Sequence, residues 1–103
     1  MKHHPRARYW AASIERRPAP VAAHLRATWG DPCYLCGAEW GSAEMEAEHR
    51  IPKCRGGTDV PENVAWACFP CNRRKHKMTE EEFRALLALE AEHPPPPGGW
   101  PHG

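Results

Sequence analysis

Strong core formers are scarce in this sequence, which has three valines, two isoleucines, five leucines and two phenylalanines in 103 residues. Most of its 41% hydrophobic content is therefore alanine, tryptophan and cysteine. That excludes an ordinary apolar core and leaves a chain that is either disordered or stapled by disulfides or metal. Long apolar runs are missing too. No stretch approaches the roughly 18 residues of a membrane helix. Charges and prolines also interrupt the first thirty residues, where a secretory signal would need an unbroken apolar segment. The expectation is an intracellular, cytoplasmic protein with no membrane partner, where paired cysteines serve metal or redox chemistry more often than disulfides. A mass of 11.6 kDa allows one domain.

Net charge is almost absent as well, at +1, but it is unevenly spread. Residues 1–30 hold Lys2, Arg6, Arg8, Arg16, Arg17 and Arg26 against Glu15. Residues 49–77 hold Arg50, Lys53, Arg55, Arg73, Arg74, Lys75 and Lys77 against Asp59 and Glu62. Nine of the other acids cluster as Glu39, Glu44, Glu46 and Glu48 and as Glu80, Glu81, Glu82, Glu90 and Glu92. Such a chain can show a positive face to a polyanion despite its near-zero total.

The chain divides into a basic N-terminal arm (1–19), a folded region (20–92) and a Pro/Gly-rich tail without a packed core (93–103). Val21, Leu25 and Trp29 at helical spacing, with Gly30 after them, predict a helix over 20–29. Alternation over 44–51 puts Met45, Ala47, His49 and Ile51 on one face and Glu44, Glu46, Glu48 and Arg50 on the other, a strand that Pro52 ends. Val64 to Ala67 reads as its partner across a long loop containing Gly56 and Gly57. A helix is expected to run through Asn72 to Lys77. A second begins at the capping box Thr79-Glu-Glu-Glu82 and covers 80–92.

Cys33-x-x-Cys36 and Cys68-x-x-Cys71 are two chelating pairs that together complete a tetrahedral four-sulfur zinc site. A redox Cys-x-x-Cys would not require two copies. The 31 intervening residues exceed the roughly 15–20 of a plain zinc ribbon, so something folded sits between the knuckles and should carry the function. Cys54 is left over. His24 and His76 read as surface or packing residues, His3, His4, His93 and His102 as terminal, and Trp10, Trp40 and Trp66 as core or cover for the zinc lobe.

Between the knuckles stand Glu48-His49-Arg-Ile-Pro52, Gly56-Gly57-Thr-Asp59 and Asn63, and the second knuckle continues as Cys71-Asn72-Arg-Arg-Lys75. In this order, over roughly residues 25–85, the motifs resemble the HNH endonuclease family, specifically its small zinc-containing, phage-type branch. The resemblance implies an α+β fold, a small zinc-stapled ββα-metal finger with flanking helices, which hydrolyses DNA with one divalent ion, magnesium or another metal, at the scissile phosphate. By position His49 resembles the general base and Glu48 the acidic metal ligand. Asn63 resembles the asparagine that braces the loop, and Asn72 the final HNH position, a further oxygen ligand. A phage setting implies a bacterial host and a packaging terminase as partner.

The chemistry suits these residue types. Imidazole titrates near neutrality and can take a proton from water, while a hard divalent cation offsets charge on the phosphorane. Arg50, Lys53, Arg55, Arg73, Arg74, Lys75 and Lys77 would contact the phosphates of double-stranded DNA. One active site cuts one strand, so a monomer or weak dimer is expected. The other reading is a non-catalytic zinc-stabilised DNA-binding or adaptor module, which would need the basic residues but not His49, Asn63 and Asn72. Simple alternation puts Glu48 and His49 on opposite faces, so both reach one metal only if the strand twists or ends there.

Overall fold

A computed structural model of the chain describes residues 13–94 and 96–98. Trp10 and most of the expected arm lie outside the described residues, as does the end of the expected tail. Residues 13–15 are helical, and Ile14, only 3% exposed, joins the core.

Helix α1 (Ala19–Ala27) starts with a proline in its first turn and buries Val21, Ala22 and Leu25. It stops two residues short of the expected end: Thr28 N still donates to His24 O at 3.0 Å, but Trp29 N turns to Arg26 O at 3.3 Å. Strands β1 (Met45–His49) and β2 (Val64–Cys68) form a two-stranded antiparallel sheet with Met45 opposite Cys68 and His49 opposite Val64. β1 is shorter than the alternation over 44–51 predicts. After His49, Arg50 N donates to Asn63 O at 2.8 Å and the chain turns away. The loop between the strands contains two short 3-10 turns, Lys53–Arg55 and Pro61–Asn63.

Helix α2 (Phe69–Lys75) follows β2 directly, with Pro70 in its first turn, where a missing N–H costs nothing. It ends at Lys75, two residues before Lys77, and His76 after it has a φ of 47°. Helix α3 (Glu80–Glu92) begins with the expected capping box: Glu82 N donates to Thr79 Oγ1 at 3.1 Å and Thr79 N to Glu82 Oε1 at 2.9 Å.

Side-chain alternation divides the sheet into two faces. Met45, Ala47 and His49 share one face with Trp66 and Val64, and Glu46 and Glu48 share the other with Ala65 and Ala67. α2 lies over the Glu46/Glu48 face, where Asn72 and Lys75 reach those carboxylates. On the Trp66 side, the indole N–H of Trp66 donates to Leu25 O of α1 at 3.3 Å. Trp29, Trp40 and Trp66 pack together with ring centroids 4.8–5.4 Å apart, as expected of Trp40 and Trp66 as core or cover. Val21, Leu25, Met45, Val64 and Phe83 are fully buried, and Cys33, Cys68 and Cys71 belong to the same cluster. The few strong apolar residues are thus concentrated against the metal knuckles.

Candidate functional site

The two Cys-x-x-Cys turns meet at one point. All four Sγ atoms lie within 4.8 Å of one another. Cys36 and Cys68 Sγ are 3.6 Å apart, far beyond the roughly 2.05 Å of a disulfide. That spacing is close to the ~3.8 Å expected between ligands 2.3 Å from a tetrahedral ion. The first knuckle is shaped by Gly37 N donating to Cys33 O at 2.9 Å, with Gly37 at a φ of 80° that favours glycine. Leu35 N donates to Cys33 Sγ at 3.4 Å. Burial opposes ionisation of Cys33, yet backbone N–H groups around its sulfur bring the thiol down to about 7. Burial and the neighbouring sulfurs push the Cys71 thiol up. Four converging sulfurs form a site that a divalent cation completes, and the donor set fits zinc.

His49 ends β1 with its side chain 21% accessible. Its Nε2 pairs with Asp59 Oδ1, and Nδ1 has no partner among the described residues. Asp59 Oδ2 accepts from Lys53 Nζ at 2.7 Å. Lys53 first, then His49, hold the Asp59 carboxyl down to about 2, so it is ionised near neutral pH.

The loop carrying Asp59 is fixed by Asn63. Its Oδ1 accepts from Ile51 N at 2.9 Å, and its Nδ2 donates to Ile51 O and Thr58 O, each at 3.0 Å. Both the oxygen and the nitrogen of the side-chain amide are bonded to backbone, so it acts as a brace. Gly57 closes the same turn so tightly that a Cβ there would stand 1.7 Å from Ile51 O.

Glu48 and His49 do point to opposite faces, and β1 does not twist to reunite them. Glu48 is 8% exposed. Its Oε1 accepts from Lys75 Nζ at 2.8 Å and its Oε2 from Tyr34 OH at 2.6 Å. Lys75 is wholly buried and also donates to His49 O at 3.0 Å. Burial and the Glu48 carboxylate raise the Tyr34 hydroxyl well above the usual tyrosine range. Glu48, expected as a metal ligand, has its two oxygens on the donors Lys75 and Tyr34. Lys75, expected at the DNA phosphates, has its ammonium enclosed against Glu48.

Asn72 sits on α2 and donates through Nδ2 to Glu46 Oε1 at 3.1 Å, leaving its Oδ1 without a partner among the described residues. Glu48 and Asn72 thus lie in the layer between α2 and the sheet, where they meet Lys75 and Glu46, while the His49 ring meets Asp59. Among the described residues, the cysteines are the only group of three or more His, Cys, Asp or Glu close enough to hold an ion.

The other nominated cations are on the surface but mostly paired. Arg50 meets Glu80 at 3.0 Å, and Arg55 grips Glu82 through two bonds of 2.9 and 3.1 Å. Arg74 meets Glu90 at 2.6 Å, and Arg73 stands 4.0 Å from Glu46 with its guanidinium over the Phe69 ring. Lys77 is exposed and has no ion pair among the described residues. Exposed pairs of this kind are worth about 0–1 kcal/mol each, so a phosphate can displace the carboxylate. His24 is a packing residue, its Nε2 3.0 Å from Val64 O, and Cys54 is an exposed thiol.

A cysteine-stapled ββα unit that presents a histidine from the end of its first strand, beside an asparagine-braced loop, defines a metal-finger class of small domain. A family model described as HNH endonuclease matches residues 33–87, and the chain belongs to that family. The match runs from the first zinc-knuckle cysteine into α3, so it spans the sheet, the loop and α2. No curated protein matches the chain.

Proposed function

We propose that the protein is an endonuclease that hydrolyses phosphodiester bonds of double-stranded DNA, with His49 as general base and a structural zinc ion on Cys33, Cys36, Cys68 and Cys71. The observation behind this reading is the state of His49: half-buried at a strand end, held at Nε2 by Asp59, and with Nδ1 unpartnered among the described residues. In the reaction Nδ1 takes a proton from water as the water oxygen bonds to phosphorus. The bond to the leaving oxygen then breaks, and that oxygen takes a proton from solvent. Asn63 keeps the loop beside His49 rigid. Arg50, Arg55, Arg73 and Arg74 bind phosphates in exchange for their present carboxylate partners, Lys77 binds them directly, and Lys53 does so through the ammonium N–H groups that Asp59 does not take.

The family resemblance calls for magnesium or another divalent ion, which would offset charge on the phosphate oxygens. Asn72 is the nominated donor with an oxygen left over. In the phage setting that the resemblance implies, the enzyme would nick or cut DNA beside a packaging terminase in a bacterial host.

Supercoiled plasmid with zinc-loaded protein and added magnesium or manganese tests the reading. Wild type should produce nicked circles, and His49→Ala should not. Equal rates in the two would refute the catalytic role. A wild type that binds plasmid without nicking would favour the zinc-stabilised DNA-binding module instead.

A further inference from the structure

We infer that Asp59 is a positioning residue for the nuclease reaction, fixing the His49 ring so that Nδ1 is the nitrogen offered to water; the inference rests on the nuclease reading above. A histidine has two ring nitrogens, and the one that acts as base is set by the hydrogen bond the other makes. Here the Asp59 carboxylate stands at Nε2. An ionised carboxylate only accepts, so the proton belongs on Nε2 and the lone pair on Nδ1. Lys53 holds the second oxygen of the same carboxylate at 2.7 Å, which keeps it anionic and limits its rotation.

The backbone makes this a built contact and not a chance meeting of two surface groups. Asp59 follows Thr58, whose carbonyl accepts from Asn63 Nδ2 at 3.0 Å. The same amide ties the loop to Ile51, two residues beyond His49. Gly57 admits no side chain because Ile51 O occupies the space. The histidine and the aspartate are thus carried by two segments pinned to each other through one asparagine. Holding a catalytic base in its productive orientation and tautomer is what such a partner contributes in hydrolytic sites.

The test compares wild type, His49→Ala, Asp59→Ala and Asp59→Glu in single-turnover nicking of a labelled duplex with magnesium, beside duplex affinity measured by fluorescence anisotropy. Asp59→Ala should lose roughly 100-fold or more in the cleavage step while binding DNA within about twofold of wild type. Asp59→Glu should recover part of the loss. In proton NMR of free protein, a downfield, exchange-protected His49 Nε2 proton should be present in wild type and absent from Asp59→Ala. Should Asp59→Ala fail to fold, the isosteric Asp59→Asn carries the same expected loss. If wild type nicks, His49→Ala does not, and a folded Asp59→Ala cleaves at the wild-type rate, the positioning role is overturned and the nuclease reading stands. A wild type that cleaves nothing overturns both.

Discussion

Replacing Glu48 by alanine separates a structural carboxylate from a metal-binding one. In the folded protein Glu48 is the countercharge to Lys75, whose side chain is 0% accessible, and it also accepts from Tyr34. Removing it leaves an ammonium with only the His49 carbonyl at 3.0 Å and a buried phenol without an acceptor. Breaking a buried pair by deleting one partner costs about 3–5 kcal/mol, because the remaining charge stays desolvated. That is a large share of the 5–15 kcal/mol typical of a whole domain. Glu48→Gln keeps the shape and an acceptor but loses the charge, so its stability should fall between wild type and Glu48→Ala. The double variant Glu48→Leu/Lys75→Met replaces both charges with apolar groups and should regain most of the loss. Urea denaturation at a fixed free zinc concentration reads these differences as shifts in midpoint at unchanged slope. A Glu48→Ala protein within about 0.5 kcal/mol of wild type would refute the reasoning and return Glu48 to the solvent-facing role of a ligand.

Further outcomes follow from the same structure. Chelating the metal, or replacing Cys33 or Cys71 by serine, should abolish the cooperative unfolding transition. Zinc on cysteine knuckles contributes roughly 10–16 kcal/mol, comparable to the stability of the domain itself; metal analysis showing no zinc in folded protein would contradict this. Gly57→Ala drives a Cβ to 1.7 Å from the Ile51 carbonyl and should cost about 3 kcal/mol. Gly56→Ala meets open space at a φ of 91° and should cost about 1 kcal/mol; equal losses at the two sites would argue against the tight closure. Lys53 and then His49 hold Asp59 down to about 2, and Arg55 holds Glu82 down to about 2. A folded value below the unfolded one of roughly 4 adds stability above that pH, which is lost as pH falls from about 4 toward 2. Carboxyl carbon NMR shifts should therefore still report both side chains as ionised at pH 4, and ordinary half-titration there would disprove the pairs.

The metal staple was legible because chelation imposes a local spacing that survives in one dimension: Cys33, Cys36, Cys68 and Cys71 converge as their sequence pattern requires. The same is true of α3, whose capping box is a four-residue signal, and of the hairpin, whose alternation set the two faces. Contacts closed only by the fold were not legible. Lys75 stands in an Arg-Arg-Lys run and reads as basic surface, yet it lies four residues after Cys71. On a helix those positions share a face, and both are buried. That spacing was the available signal for a buried lysine. The acidic blocks looked remote from the basic segments, but folding brings Glu80 to Arg50, Glu82 to Arg55, and Glu90 to Arg74. Charge segregated along the chain is thereby largely neutralised on the surface. Asp59 stood in the Gly56-Gly57-Thr-Asp59 motif, but nothing local marked it as a partner of His49. It becomes the partner of His49 only because Asn63 and Gly57 fold the loop back onto Ile51, a geometry that no window of ten residues encodes.

The central claim is that His49, opened at Nδ1 at the end of β1, activates the water that cuts DNA. Cleavage of a labelled duplex by wild type and His49→Ala, matched in zinc content and thermal midpoint, tests it most directly. Wild type should show magnesium-dependent strand scission and the variant a rate lower by roughly 100-fold or more, with unchanged duplex affinity. Equal cleavage by both proteins would contradict it.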